Sequence, residues 1–584
     1  MNKQELIEQI KASTREIKCD LVIKNITIID IFNNDTFIGD VGIKNSYIIG
    51  IGDYEGEKII DGKGKYICPG LIDAHCHIES SLVTPKEYAK VALLNGITSV
   101  IADPHEIANV MGEDGIKFML QDSANIPFDM YFMLPSCVPG TSFESSGARL
   151  LASNLRNFYN EKRVLGLAEV MDYESLFNCE ESMIDKIYDA IDNNTVIDGH
   201  GAGFSSDMIN SYRVARVSTD HECINWSSAI DRIRRGMYVL IREGTAAKNL
   251  MSILPAVNES NISRFCLCTD DKHIDDINES GSINYSIRRC IEYGLKPEMA
   301  IRMATINTSL VYNLKDKGAI APGYKADFII LDDLKTFKIN SVYKSGELVV
   351  ENGELVCYSS ITNKKDNKII NTVNFKDINK ESFRINITNK EIINVIEIIP
   401  NKLETNHIKV KINNNISESI GENKYFKASP EEDLLKVVVV ERHKKSGNIG
   451  LGVLKGLKIK NGAIGTTIAH DSHNIILAGI NDRDLLVAAN ELKSMGGGIV
   501  VVKDGKVIGS VKLEIGGLMT NRSFEEVKVD LDVIHKAMKD ISPDINYNPF
   551  LTLSFLSLPV IPDLRVTDKG LFDVKKFKFI NVSE

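Results

Sequence analysis

Between residues 67 and 310, short apolar runs alternate with longer amphipathic ones, and this alternation constrains the fold more than any other feature of the sequence. The apolar runs read as strands: YICPGLIDA, GITSVIAD, FDMYFMLPS, VLGLAEV, NTVIDG, RVSTD, GMYVLI and RFCLCTD. Between them, stretches such as PKEYAKVALLN, EESMIDKIYDAID and NWSSAIDRIRR space their apolar residues for one face of a helix. Strands that alternate with helices form a parallel sheet. Eight βα units in about 240 residues predict a (β/α)8 barrel of the α/β class. The competing arrangement, an open doubly wound sheet, is disfavoured because no Gly-rich phosphate loop follows the first strand.

At 584 residues the chain exceeds what one hydrophobic core supports, so further folded units are expected. Residues 20–66 carry short alternating strands (DLVIKN, ITIIDIF, VGIKNSYIIGIG) broken by Gly and Asn turn signals. The same pattern returns at 324–357 in YKADFIILDD, VYKSGELVV and NGELVCY. A small β-domain assembled from both sides of an insertion follows. The expected organisation is therefore an N-terminal amphipathic helix and the first part of the β-domain over 1–66, the barrel over 67–317, and the second part of the β-domain over 318–358. An Asn- and Lys-rich exposed linker over 359–381 leads to a separate C-terminal α/β domain over 382–584. Its strands are read in KVVVVERH, TTIAHDSHNIILAG and GGGIVVVKDGKVIG, and its helices in DRDLLVAANELKSM and FEEVKVDLDVIHKAMKD.

Composition excludes several classes of function. With 43% hydrophobic and 25% charged residues the chain is globular. A net charge of −10 argues against a surface that coats nucleic acid. No apolar run approaches the roughly 20 residues of a membrane span, and the N-terminus lacks the apolar centre of a secretory signal. All ten cysteines precede residue 358 and none forms a CxxC pair. Free thiols in a cytoplasmic protein are expected.

Functional groups of a barrel gather at the C-terminal ends of its strands. Six of the eleven histidines precede residue 274, and five stand at or just past a strand end. Strand one ends in Asp73-Ala74-His75-Cys76-His77, and strand two in Asp103-Pro104-His105-Glu106. Glu169 lies on strand four, His200 ends strand five, Asp220-His221-Glu222 ends strand six, and Asp270-Asp271-Lys272 ends strand eight. A His-x-His pair on a strand turns both imidazoles to one face, where they converge on one cation. Alone the pair also fits two polar rim histidines. Two further histidines and two carboxylates at other strand ends favour a metal site.

The segment PGLIDAHCHIESS resembles the first strand of the amidohydrolase superfamily, metal-dependent hydrolases built on a barrel with a small flanking β-domain. GAIAPGYKADFIILD, residues 318–332, resembles the strand that returns to that domain. The finer resemblance is to the bacterial adenine deaminases, whose blocks are similar to HIESSLVTP, ADPHEIANVMG, LGLAEVMD, AHDSHNIILAG and LRVTDKGLFDV. It covers nearly the whole chain. Many binuclear relatives bridge their metals with a carboxylated lysine on strand four; here Glu169 stands in that place, which agrees with the adenine deaminases and counts against a dihydroorotase.

The resemblance implies a binuclear centre in which His75, His77 and Asp270 hold one metal, His200 and His221 the other, and Glu169 spans both. Donors that are all nitrogen or oxygen suit manganese, iron or zinc, and the family points to Mn2+ or Fe2+. The implied reaction is hydrolysis of adenine to hypoxanthine and ammonia by a metal-activated hydroxide, in purine salvage. Asp270 is expected to carry the proton. His105 and Glu106 are expected to hydrogen-bond the edge of the base, a structural turn around Pro104 being the other reading. Asp103 is expected to orient a neighbour. The partner is a small molecule, without nucleic acid or membrane, and a homo-oligomer is expected.

Other features carry plainer readings. Cys76, Cys266 and Cys268 read as core thiols, His273 as a surface or supporting residue, and Gly496-Gly497-Gly498 as a turn. His470-Asp471-Ser472-His473 lines the mouth of the active site, holds another metal, or forms an ordinary polar loop; the sequence leaves all three open. His77-Ile78-Glu79 matches half of the other zinc-deaminase signature, but no PCxxC follows, which excludes that class. The remaining alternatives are another amidohydrolase, acting on a different base or a cyclic amide, and an idle metal-binding scaffold.

Overall fold

The computed structural model describes residues 2–356, 358 and 369–584 of the chain. Eight parallel strands form a ring: Leu71–Cys76, Ile97–Ala102, Asp129–Leu134, Val164–Val170, Val196–Gly199, Thr219–Asp220, Tyr238–Arg242 and Phe265–Cys268. Continuous ladders join the first five and the last three. The two seams are closed through backbone groups. The Ser218 N–H donates to the Ile197 carbonyl at 2.9 Å, and Cys76 bridges Asp270 in parallel.

These strands are apolar throughout because both of their faces are covered. Ala74, Ile101, Met133, Ala168, Leu240, Cys266 and Cys268 fill the interior with Tyr312, while the alternate residues pack under the helices. Every described cysteine is a free thiol, and all but Cys179 are buried.

The run YICPGLIDA is not one strand. Tyr66–Pro69 pairs antiparallel with Phe328–Asp333 in the flanking sheet, and only Leu71–Cys76 belongs to the barrel. The break falls at Gly70, where a Cβ would stand 2.3 Å from Thr98 Oγ1. Strands from both sides of the barrel thus share one nine-stranded sheet. Lys344, on its strand Lys338–Lys344, ties that sheet to the barrel by reaching Asp129 at 2.5 Å and Asp327 at 2.7 Å.

Residues 359–368 of the expected linker lie outside the described residues. Of the rest, Asn371, Lys376, Asp377, Asn379, Lys380 and Glu381 are exposed, while Val373 and Phe375 are buried beside Phe383 and Leu485, where they fill a satellite core of the C-terminal domain. That domain is an eight-stranded, mostly antiparallel sheet with helices Asp482–Met495 and Phe524–Ile541. TTIAHDSHNIILAG is not one strand: its first residue ends the strand Ala463–Thr466 and its last five form Ile475–Gly479. Between them the His473 N–H donates to the Ala469 carbonyl at 2.7 Å, and His473 takes φ 52°. The turn carries His470 toward the barrel. No helix of the described residues is long and apolar enough to cross a membrane.

Candidate metal centre and active site

The last residues of barrel strand one are placed by strand eight. The Asp270 N–H donates to the His75 carbonyl at 3.0 Å, and the His77 N–H donates to the Asp270 carbonyl at 3.2 Å. Asp270 adopts φ 59°, a left-handed conformation that aspartate tolerates better than most side chains. Below it, Thr269 donates to the buried Asp73 carboxylate from both its N–H and its hydroxyl, locking the two strand ends together.

Four strand ends converge here. His75 Nε2 and His77 Nε2 lie 3.4 and 3.1 Å from Asp270 Oδ1. His77 Nε2 is also 3.4 Å from Glu169 Oε1, and His221 Nε2 is 3.2 Å from Glu169 Oε2. His77 Nδ1 faces the Asp103 carbonyl at 3.1 Å, so it carries the ring proton and leaves Nε2 with a lone pair. His200 is joined less directly, its Nε2 3.4 Å from Glu222 Oε1, which is in turn 3.5 Å from His221 Nε2. Its backbone is fixed by a hydrogen bond from its N–H to the Tyr212 hydroxyl at 2.8 Å.

These residues fit metal ions. Donor atoms bound about 2.1 Å from one ion stand roughly 3.0–3.4 Å apart, and the spacings above fall in or close to that range. His75 Nε2 is buried without a hydrogen-bond partner. The cavity lining also sets six carboxylates, from Glu106, Glu169, Glu222, Asp270, Asp271 and Asp471, against one guanidinium, Arg242. Buried carboxylates need compensating charge. Burial alone would raise the Asp270 carboxyl; Arg242 and the two imidazoles outweigh it and hold the group well below the usual range.

The second strand end reaches the C-terminal domain. His105 Nδ1 lies 2.9 Å from Asp103 Oδ2, which orients the ring, and 3.3 Å from Glu169 Oε1. Glu106 lines the cavity and is also engaged by the C-terminal domain. Its Oε1 accepts from His470 Nδ1 at 2.6 Å, and its Oε2 lies against His473 Nε2. The Ala469 N–H donates to His473 Nδ1 at 3.2 Å, which places the proton of a neutral ring on Nε2. Glu106, His470 and His473 also form a buried group that could hold a metal ion, so that reading of the loop stays open, and His470 and Asp471 line the cavity. Glu79, of the chance HxE match, accepts the Ile107 N–H at 3.1 Å. His273 is buried rather than on the surface, at the N-cap position of the helix Ile274–Ser280.

Sequence reasoning passed over Arg242 and gave Glu222 no role. Arg242 ends strand seven, so the strand-end rule applied to every charged residue would have found it. The roof of the cavity (Leu403, Phe555, Leu558, Val560 and Ile561) comes from the C-terminal domain and carries no sequence signal of its own.

Residues 66–349 match the amidohydrolase family and residues 409–578 the adenine deaminase C-terminal domain. A protein named adenine deaminase from Geobacillus kaustophilus (strain HTA426) is 50% identical over 578 residues, 99% of each chain. Proteins of the same name from Bacillus subtilis (strain 168) and Clostridium acetobutylicum are 47% and 44% identical, covering 100% and 98% of this chain and 100% and 99% of theirs.

Proposed function

Because the chain belongs to the adenine deaminase family of the amidohydrolases, we propose that it hydrolyses adenine to hypoxanthine and ammonia in purine salvage. The observation that carries the site assignment is Glu169, whose two oxygens face His77 on one side and His221 on the other. On this reading His75, His77 and Asp270 would hold one divalent cation and His200 and His221 a second, with Glu169 offering a carboxylate oxygen to each. Nitrogen and oxygen donors suit manganese or ferrous iron, with zinc also accommodated. Bound there, the pair supplies the positive charge that brings the acidity of water near neutral pH.

The chain's own groups account for the proton traffic. As the water oxygen bonds to C6, Asp270 Oδ1 takes one proton, while Arg242 holds Oδ2 at 2.9 Å and keeps the carboxylate aimed. The two protons of water end on a ring nitrogen and on the departing amino group, the C6–N bond breaks, and ammonia leaves. His105 borders the cavity and meets the edge of the base; Glu106 acts through the imidazoles it holds. The apolar roof of Leu403, Phe555, Leu558, Val560 and Ile561 lies against the base. The free thiols support a reducing, cytoplasmic setting.

The test is the ultraviolet change from adenine to hypoxanthine beside an ammonia assay, with adenosine, guanine and a cyclic amide in parallel. Adenine should be preferred. Equal turnover of adenosine would overturn the free-base assignment, and turnover of the cyclic amide alone would overturn the deaminase reading.

A further inference from the structure

We propose that His470, from the C-terminal domain, is a catalytic residue that completes the active site by hydrogen-bonding a ring nitrogen of the base through Nε2. The proposal rests on the adenine reading and names the group that recognises the ring.

The imidazole is held as a working group is held. Its Nδ1 faces Glu106 Oε1 at 2.6 Å, a carboxylate–imidazole pair built across two domains. Such a pair fixes which nitrogen is committed and which is left to act. Phe555 stacks on the ring with centroids 4.3 Å apart and planes 16° from parallel. The backbone is pinned as well: the His470 N–H donates to the Ser554 carbonyl at 3.0 Å, and its carbonyl accepts the Ser557 hydroxyl at 3.2 Å. Neither rotation nor withdrawal is free.

The other nitrogen is left over. His470 Nε2 is buried without a hydrogen-bond partner, on a residue 2% exposed that lines the same cavity as His77, Glu169, His221 and Asp270. A buried polar atom without a partner costs about 1–3 kcal/mol, and a fixed ring at a substrate cavity recovers it when the substrate supplies the partner. A purine offers ring nitrogens along its edges; an apolar ligand does not. Glu106 is the positioning residue of the pair, and the C-terminal domain then contributes chemistry as well as a roof.

Adenine and its deaza analogues, each with one ring nitrogen replaced by C–H, test the assignment on the full-length protein. Wild type should convert adenine and penalise one analogue strongly. His470→Asn should lower kcat/KM for adenine about a hundredfold and erase the penalty for that analogue alone. Glu106→Gln should move the same ratio in the same direction, and both variants should keep the wild-type metal content and thermal midpoint. If wild type converts adenine while His470→Asn matches it, or loses equally on every analogue, the role of His470 is wrong and the deaminase reading stands. If wild type converts no adenine, both fall. Should His470→Asn lose its metal or its fold, the Glu106→Gln ratio decides alone.

Discussion

Arg242 Nη1 donates to Asp270 Oδ2 at 2.9 Å, and the same guanidinium holds both oxygens of Glu222. One cation thus serves the carboxylates at two strand ends, Asp220-His221-Glu222 and Asp270. Removing it strands two buried acids. Arg242→Met should cost about 3–5 kcal/mol, as breaking a buried pair does. Arg242→Lys keeps the charge but loses the fork and should fall between. Urea midpoints read both, and an Arg242→Met protein as stable as wild type would contradict the pairing.

Asp270 is asked to move a proton, which an amide cannot do. Asp270→Asn should lower kcat by the 10²–10⁴-fold typical of general acid–base catalysis. Binding of adenine should persist, since the ring-edge contacts lie on other elements. Wild-type kcat with intact metal content would remove Asp270 from the role.

Chelation should abolish turnover, and manganese or ferrous iron should restore it. His75→Ala and His200→Ala probe opposite ends of the centre and should each lose metal and activity together. Elemental analysis alongside kcat reads the outcome. Fully active protein without transition metal would end the metal reading.

A buried quartet offers a test of the fold. Lys317 and Lys344 each lie within 2.7 Å of both Asp129 and Asp327. Burial would raise the Asp327 carboxyl, but Lys317 and Lys344 outweigh it and bring it down to about 2. A depressed carboxyl stabilises the fold above its unfolded value, about 3.9, and loses that contribution as pH falls toward 2. Asp327→Asn should cost about 3–5 kcal/mol near neutral pH. The gap to wild type should narrow by about 2 kcal/mol between pH 4 and pH 2, and a gap constant across that range would argue against the ion pairs.

Much of this was legible in the sequence because a barrel ties chemistry to periodicity. Strand ends locate His75, His77, Glu169, His200, His221 and Asp270, and the apolar runs give the eight strands. What was not legible depends on distant segments meeting. Nothing near Glu106 announces that His470, in another domain, will take its carboxylate. The need for glycine at position 70 comes from Thr98, which leaves no room for a Cβ there. Val373 and Phe375 look like linker until the helix Asp482–Met495 supplies a surface to cover them.

The roof of the cavity supplies the last prediction. Leu558 stands over the centre with Phe555 and Ile561, on a segment far from the ligands in sequence. On the adenine reading an apolar side chain there would touch the flat face of the base, whose contact changes little between ground state and transition state. Such uniform binding sets KM and leaves kcat alone. Leu558→Ala should therefore raise KM for adenine about tenfold, the low end of what lost apolar contact in a pocket costs, with kcat within about twofold of wild type. Steady-state kinetics at saturating metal separates the two constants. A fall in kcat at constant KM would instead mean that the roof excludes water from the reacting atoms, and that its role is in the chemical step.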